Sequence, residues 1–201
     1  MKTFVVILCC IFLFGCDELK EIKQSKAVFK IENKTIIDSD IAIFIARLEQ
    51  HPVSIFSSIE YNQKTNEIIF INGTPDDELV NYLALTIGDF YLRGEHPLDK
   101  WILQSQIETA AITVKDEERY LALSLNQRGA DKMKRKTRSN MGKAMTVMLD
   151  ENELASALIS TTLGKRFQVP IRNKSPKELM RILTIIKTGR LNSPIKLRQV
   201  A

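Results

Sequence analysis

The succession of predicted elements over residues 27–93 restricts the fold of this chain more than any other feature. Periodic apolar residues, interrupted by Pro52, Asn72-Gly73 and Gly88, divide this segment into strands and helices. The strands are expected at 27–32, 53–61, 67–71 and 90–92, and the helices start at Asp38-Ser39-Asp40 and at Thr74-Pro75. The order strand, helix, strand, strand, helix, strand predicts two helices packed on one face of an antiparallel sheet.

This order is the ferredoxin-like pattern, and residues 27–95 are predicted to form it as a base lobe. Gly94-Glu95-His96-Pro97 then breaks the chain. Beyond it, strands are expected at 107–114, 120–125, 143–149, 153–159, 167–171 and 195–200, and helices at 126–141 and 175–189. The last helix starts with a capping Ser175, Pro176 at the first helical position and Glu178 three residues after the serine. We therefore expect an α+β protein throughout.

The N-terminus predicts export. Residues 3–14 contain no charge, and about a dozen apolar residues suit a signal-peptide core but are too few to cross a bilayer. Leu13-Phe14-Gly15-Cys16 resembles the bacterial lipobox, although Phe14 departs from the small or β-branched residue usual at that position. Removal of residues 1–15 as a signal peptide leaves Cys16 as the only cysteine, which favours a lipid on Cys16 over a disulfide. An uncleaved N-terminal anchor is the alternative.

These features place the mature chain in the bacterial cell envelope, lipid-anchored to a membrane and facing the periplasm. Residues 16–26 are polar and short, as expected of a tether between the lipid and the folded part. Asp17 favours the inner membrane where enterobacterial-type sorting applies.

The net charge of +5 conceals a strong asymmetry. Residues 17–127 carry 11 Lys/Arg and 19 Asp/Glu, a net charge of −8, whereas residues 128–201 carry 17 and 5, a net charge of +12. Such polarity indicates that one half faces the other, or that the basic half meets an acidic partner.

The second half contains a series of short blocks in a recognisable order. They are Trp101-Ile102-Leu103, Gln106 to Ala110, Leu121 to Asn126 with Gly129-Ala130, Thr137 with Asn140 and Gly142-Lys143, Val147 to Asp150, Ser156-Ala157 with Ile159, and Leu183 with Gly189-Arg190-Leu191 and Pro194-Ile195. Together they resemble the head subdomain in the first periplasmic domain of SecD, the protein-export accessory subunit. The preceding half is similar, more loosely, to the base of that domain.

The resemblance implies that a head lobe, residues 98–193, is inserted into the base and that residues 194–201 return to the base as its last strand. It also implies a rigid two-lobed periplasmic body whose head contacts exported polypeptides. The six-helix membrane module of the family has no counterpart here, so we expect the chain to lack it and do not carry over the proton-driven action of that module.

No catalytic or metal-binding arrangement is evident. The two histidines, His51 and His96, each precede a proline and lack the spacing of metal ligands. The carboxylates at 38–40 and 76–78 suit helix starts, where they complement the helix dipole. There is no nucleophile elbow, phosphate loop or dinucleotide motif. We expect a protein that is not an enzyme and has no cofactor or metal.

A basic run within the helix at 126–141 is the candidate contact site. Its cations are Lys132, Lys134, Arg135, Lys136 and Arg138. Three interpretations are open: a solvated helix face, contact with anionic lipid head groups, or recognition of acidic polypeptide segments. Nucleic acid is disfavoured, because the chain is exported and the run has no aromatic residue to stack on bases.

The sequence thus favours a protein-binding module similar to the SecD periplasmic domain, anchored in the membrane and contacting exported polypeptides, envelope proteins or Sec components. The alternative is a scaffold lipoprotein of the envelope with an unrelated protein partner.

Overall fold

Eleven strands and four helices follow the predicted order closely in the computed structural model, which describes residues 25–33, 35–52, 56–73 and 76–200. The strands are β1 (Lys26–Ile31), β2 (Ser58–Asn62), β3 (Glu67–Ile71), β4 (Phe90–Arg93), β5 (Lys100–Leu103), β6 (Ile107–Lys115), β7 (Glu118–Leu125), β8 (Ala144–Leu149), β9 (Asn152–Leu158), β10 (Arg166–Pro170) and β11 (Leu197–Val200). The helices are α1 (Asp38–Gln50), α2 (Asp77–Leu85), α3 (Gln127–Ser139) and α4 (Pro176–Thr188). Within these described ranges, no helix combines the length and apolar character that a membrane span requires.

The base lobe is built on a four-stranded antiparallel sheet in the order β11-β1-β3-β2. Val28 of β1 lies opposite Ile69 of β3 on one side and Val200 of β11 on the other. The last strand of the chain therefore lies beside the first, which confirms the predicted return to the base.

The strand expected to complete the base belongs to another sheet. β4 pairs with β5 and β8, in a sheet of order β5-β4-β8-β9, and β11 takes the place that the sequence pattern gave to β4. Phe90, Tyr91 and Leu92 are all buried, because β4 is an interior strand with packing on both of its faces. A third sheet, β10-β7-β6, completes the head lobe.

Helix starts agree with the sequence at some positions and differ at others. The capping box of α4 is formed as predicted: the Ser175 hydroxyl accepts from Glu178 N, and Glu178 accepts from Ser175 N. Asp76 rather than Thr74 caps α2, and Thr74 and Pro75 lie outside the described residues. The N-cap of α1 is Ile37, which has no side chain able to cap it, instead of an acidic residue at 38–40.

Asp40 joins the two lobes instead of capping its helix. Its buried carboxylate accepts hydrogen bonds from Asn192 N at 2.8 Å and Asn192 Nδ2 at 2.9 Å, and from Ser193 N at 3.3 Å. These donors lie in the segment that leads from α4 back to the base, so α1 fixes the path of the returning chain.

Arg47 makes the second contact between the lobes. Its guanidinium is fully buried and donates to the carbonyl oxygens of Leu83, Thr86, Ile87 and Gly189. Burial lowers the pKa of Arg47 to about 10, which leaves it charged at neutral pH. One side chain thereby ties α1 to the end of α2 and to the residue that ends α4.

Candidate binding surfaces of the head lobe

Helix α3, which carries the predicted basic run, is held firmly at its start. The Asn126 side chain accepts from Gly129 N at 2.9 Å and caps the helix, while Asn126 N donates to Gln106 O at 2.9 Å. A Cβ on Gly129 would lie 3.1 Å from Gln106 Cβ, so glycine permits this close approach. Farther along, Met133 and Thr137 are fully buried and anchor the apolar face.

The structure divides the basic run instead of presenting it as one patch. Lys136 Nζ contacts both carboxylate oxygens of Asp99, at 2.7 and 2.9 Å, and lies 5.9 Å from the centre of the Trp101 ring. The hydrogen bonds from Lys136 and then from Trp101 Nε1 lower the pKa of Asp99. Lys136 is therefore largely neutralised within the protein.

Three other cations of α3 lie along one groove. Arg128, Lys132 and Arg135 line a cavity of about 630 Å³ together with Leu103, Ser105, Gln106, Lys136 and Ser139, and we call this the basic groove. No carboxylate is among its lining residues. Partial burial, and then the charge of Lys136, lower the pKa of Lys132, with Arg128 and Arg135 acting in the same direction. The groove thus concentrates positive charge that repels itself.

The rest of the basic half is mostly paired with the acidic half. Lys177 contacts Asp76 and Glu78, Arg181 contacts Glu78 at 2.9 Å, and Arg198 contacts Glu32. By contrast, Lys136 is the one cation of α3 that forms an ion pair within the described residues. The charge asymmetry of the sequence is therefore partly satisfied inside the protein, while five of the six cations of α3 have no ion-pair partner among the described residues.

A second surface lies at the free edge of β9. Ile159 N donates to Lys143 O at 3.0 Å, and Ala157 and Ala155 lie opposite Met145 and Val147 of β8. Because backbone groups alternate in direction along an antiparallel strand, those of Ser156 and Leu158 point away from β8. Among the described residues these groups have no backbone partner.

This edge opens into a cleft of about 740 Å³, which we call the β9 cleft. One wall is β9 from Glu153 to Leu158, and the other is formed by Pro170, Arg172, Asn173 and Lys174 at the end of β10. Leu158, which lines this cleft, is 73% exposed. The cleft therefore offers unpaired backbone, an exposed apolar side chain and two nearby cations.

Among the residues singled out from the sequence, Lys132, Arg135 and Lys136 come together at the basic groove, whereas Lys134 and Arg138 are exposed and do not line it. Cys16 lies outside the described residues. Arg128, which precedes the basic run, was not among the candidate residues. His51 is buried and His96 is exposed, and the described residues contain no group of three potential metal ligands.

Comparison with known proteins identifies the class of this fold. Residues 97–192 match the family model of the P1 head subdomain of SecDF. A search of curated protein sequences finds no match.

Two solved structures of SecDF show the same fold. One, described as "Structure and function of a membrane component SecDF that enhances protein export", superposes with a TM-score of 0.64 at 15% identity, over 88% of this chain and 99% of the other. The second, SecDF in its super-membrane-facing form, gives a TM-score of 0.64 at 15% identity, over 87% of this chain and 29% of that chain. The α+β fold class with its SecDF P1-like head is thus confirmed.

Proposed function

We propose that this chain is a membrane-anchored, extracytoplasmic binding module, not an enzyme, that holds extended segments of exported polypeptides at the edge of β9. The observation that carries the proposal is the unpaired edge of β9 within the segment that matches the SecDF P1 head. The SecDF protein of similar fold is described as enhancing protein export.

An exported polypeptide suits this edge because its backbone is not yet paired. An added strand gains affinity from main-chain hydrogen bonds, which depend little on sequence. Leu158 adds apolar contact to the added strand. These properties suit a site that meets many different chains briefly.

Membrane attachment through a lipid on Cys16 is the second part of the proposal. It rests on the Leu13-Phe14-Gly15-Cys16 motif and on the nine residues between Cys16 and β1, which reach at most about 30 Å. Fractionation of cells that produce Cys16→Ala tests it: the variant should leave the membrane fraction or stay as an unprocessed precursor. Unchanged membrane content with normal processing would contradict lipidation.

Photo-crosslinking in intact cells tests the binding site. A benzophenone amino acid at position 158 should give adducts with several exported polypeptides or with Sec components. Ser156→Pro should reduce these adducts, since it removes the outward N–H and obstructs strand addition without breaking the β8–β9 ladder. Ser156→Ala is the matched control, because it changes the side chain and keeps the N–H.

Three outcomes would overturn the proposal in distinct ways. Equal adducts in the proline and alanine variants would exclude strand addition. One stoichiometric partner outside the export machinery would favour the scaffold role. Adducts with lipid alone at position 158 would exclude a polypeptide site at this edge.

A further inference from the structure

We infer that the basic groove is a binding site for the phosphate head group of an anionic phospholipid. This inference rests on the membrane attachment proposed above but not on polypeptide binding at β9. Arg128, Lys132 and Arg135 converge on the groove, and Ser105 and Ser139 add hydroxyl groups to its lining. Guanidinium groups bind phosphate through two parallel N–H bonds, and hydroxyls supply further donors.

The arrangement of the groove favours an anion over solvent. Its cations lie at positions 128, 132 and 135, which fall on one face of α3 at spacings of four and three residues. Like charges at this spacing repel each other and destabilise a helix. Partial burial, and then the neighbouring cations, lower the pKa of Lys132. A phosphate bound among these cations would offset their repulsion.

Apolar residues beside these cations favour a lipid over a soluble anion. Leu103 lines the groove itself and is 42% exposed. Leu98 is 84% exposed and precedes Asp99, the ion-pair partner of Lys136. Met141 follows the end of α3 and is 48% exposed. Cations next to exposed apolar side chains are typical of protein surfaces that contact the interface of an anionic membrane.

The predicted attachment makes such a contact effective. A tether of nine residues keeps the body within about 30 Å of the bilayer, so head groups are present at high effective concentration. Even a weak site is then occupied, and occupation fixes which side of the head lobe faces the membrane. The groove sets the orientation of the body, and the N-terminus sets its distance.

The test uses the purified full chain, reconstituted through its N-terminus into vesicles of phosphatidylcholine alone or mixed equally with phosphatidylglycerol. A benzophenone amino acid at position 103 reports contact with lipid. We expect phosphatidylglycerol adducts in the mixed vesicles. Their yield should fall about tenfold or more in the groove variant Arg128→Gln/Lys132→Gln/Arg135→Gln, since it removes the three cations that line the groove without an ion-pair partner among the described residues.

The matched control is Lys134→Gln/Arg138→Gln/Lys143→Gln, which removes the same charge from exposed residues that do not line the groove. It should lower the yield less than twofold. An equal loss in both triple variants would mean diffuse attraction instead of a site and would overturn the inference. Adducts that do not depend on phosphatidylglycerol, or that inorganic phosphate abolishes, would overturn the choice of a lipid, as would polypeptide adducts at position 103 in cells.

The result is separable from the proposed function. Failure of the crosslink at position 158 with a positive result at position 103 removes polypeptide binding and leaves the lipid site. The reverse outcome removes the lipid site alone. Circular dichroism of both triple variants checks that they fold, which we expect because five of the six replaced side chains are exposed and Lys132 is only partly buried.

Discussion

Replacement of Arg47 by methionine tests the contact that joins the two lobes. The carbonyl oxygens of Leu83, Thr86 and Gly189 accept from Arg47 and, among the described residues, from no other donor. The carbonyl oxygen of Ile87 keeps its hydrogen bond from Leu191 N. The substitution therefore leaves three buried or partly buried acceptors without a partner.

The expected loss follows from two opposing contributions. Each unsatisfied acceptor costs about 1–3 kcal/mol, which gives about 3–9 kcal/mol for three. Removal of a desolvated charge offsets part of this cost, and methionine refills much of the volume. We expect the free energy of unfolding to fall by about 2–4 kcal/mol. For a domain whose total stability is about 5–15 kcal/mol, this is a large fraction.

Urea titration measures this loss, with the fluorescence of Trp101, the single tryptophan, as the signal. Arg190→Met is the control. Arg190 is exposed and makes only a long contact, 3.8 Å, with Asp89, so the free energy of unfolding should change by no more than about 0.5 kcal/mol. A loss below about 1 kcal/mol in Arg47→Met, or one equal to that of the control, would show that the guanidinium is not an essential contact between the lobes.

Three further predictions concern local features. Gly88→Ala should cost about 3 kcal/mol or more in the urea titration, because φ is +88° and a Cβ would lie 2.6 Å from the buried guanidinium; Gly142→Ala, at φ +78° in open space, should cost only about 1 kcal/mol. Met133→Ala should destabilise by about 2–5 kcal/mol in the same assay, since Met133 is fully buried, and a loss below about 1 kcal/mol would show that α3 is loosely packed. The lowered pKa of Asp99 gives stability that is present above its ordinary pKa of 3.8 and lost as the pH falls through the folded value. Unfolding midpoints between about pH 6 and pH 3 should therefore fall less in Lys136→Met than in the unchanged protein, and parallel curves would refute this assignment.

The fold could be predicted from the sequence where local chemistry decides it. Alternation located the strands, and the capping box at Ser175 and Glu178 located α4. Pairing partners are not a local property, and β4 was therefore assigned to the wrong sheet. Its consecutive buried residues, Phe90 to Leu92, are typical of a strand that is covered on both faces of its sheet, whereas one face of a ferredoxin-like base is covered by the two helices.

The candidate surfaces were harder to predict, for a geometric reason. Consecutive basic residues in a sequence do not show which of them share a helical face. In α3, Lys132 and Arg135 line the groove with Arg128, whereas Lys134 and Arg138 are exposed to solvent. The free edge of β9 depends on which strand is missing beside it, and no pattern within β9 states this. The burial of Arg47 could have been predicted, because position 47 falls on the same helical face as Phe44 and Leu48.

The pairing of β11 with β1 has a consequence for the order in which the chain folds. β1 emerges first, yet its second neighbour arrives only with the last few residues, after the whole head lobe has appeared. The head strands lie close together in the sequence and can pair early. Pairing of β1 with β11 closes a much longer loop, so the base sheet is completed last. Until then the outer edge of β1 is exposed to proteases and to other unpaired strands. A chain that lacks β11 thus keeps a folded head and an open base, which proteases can recognise as incomplete.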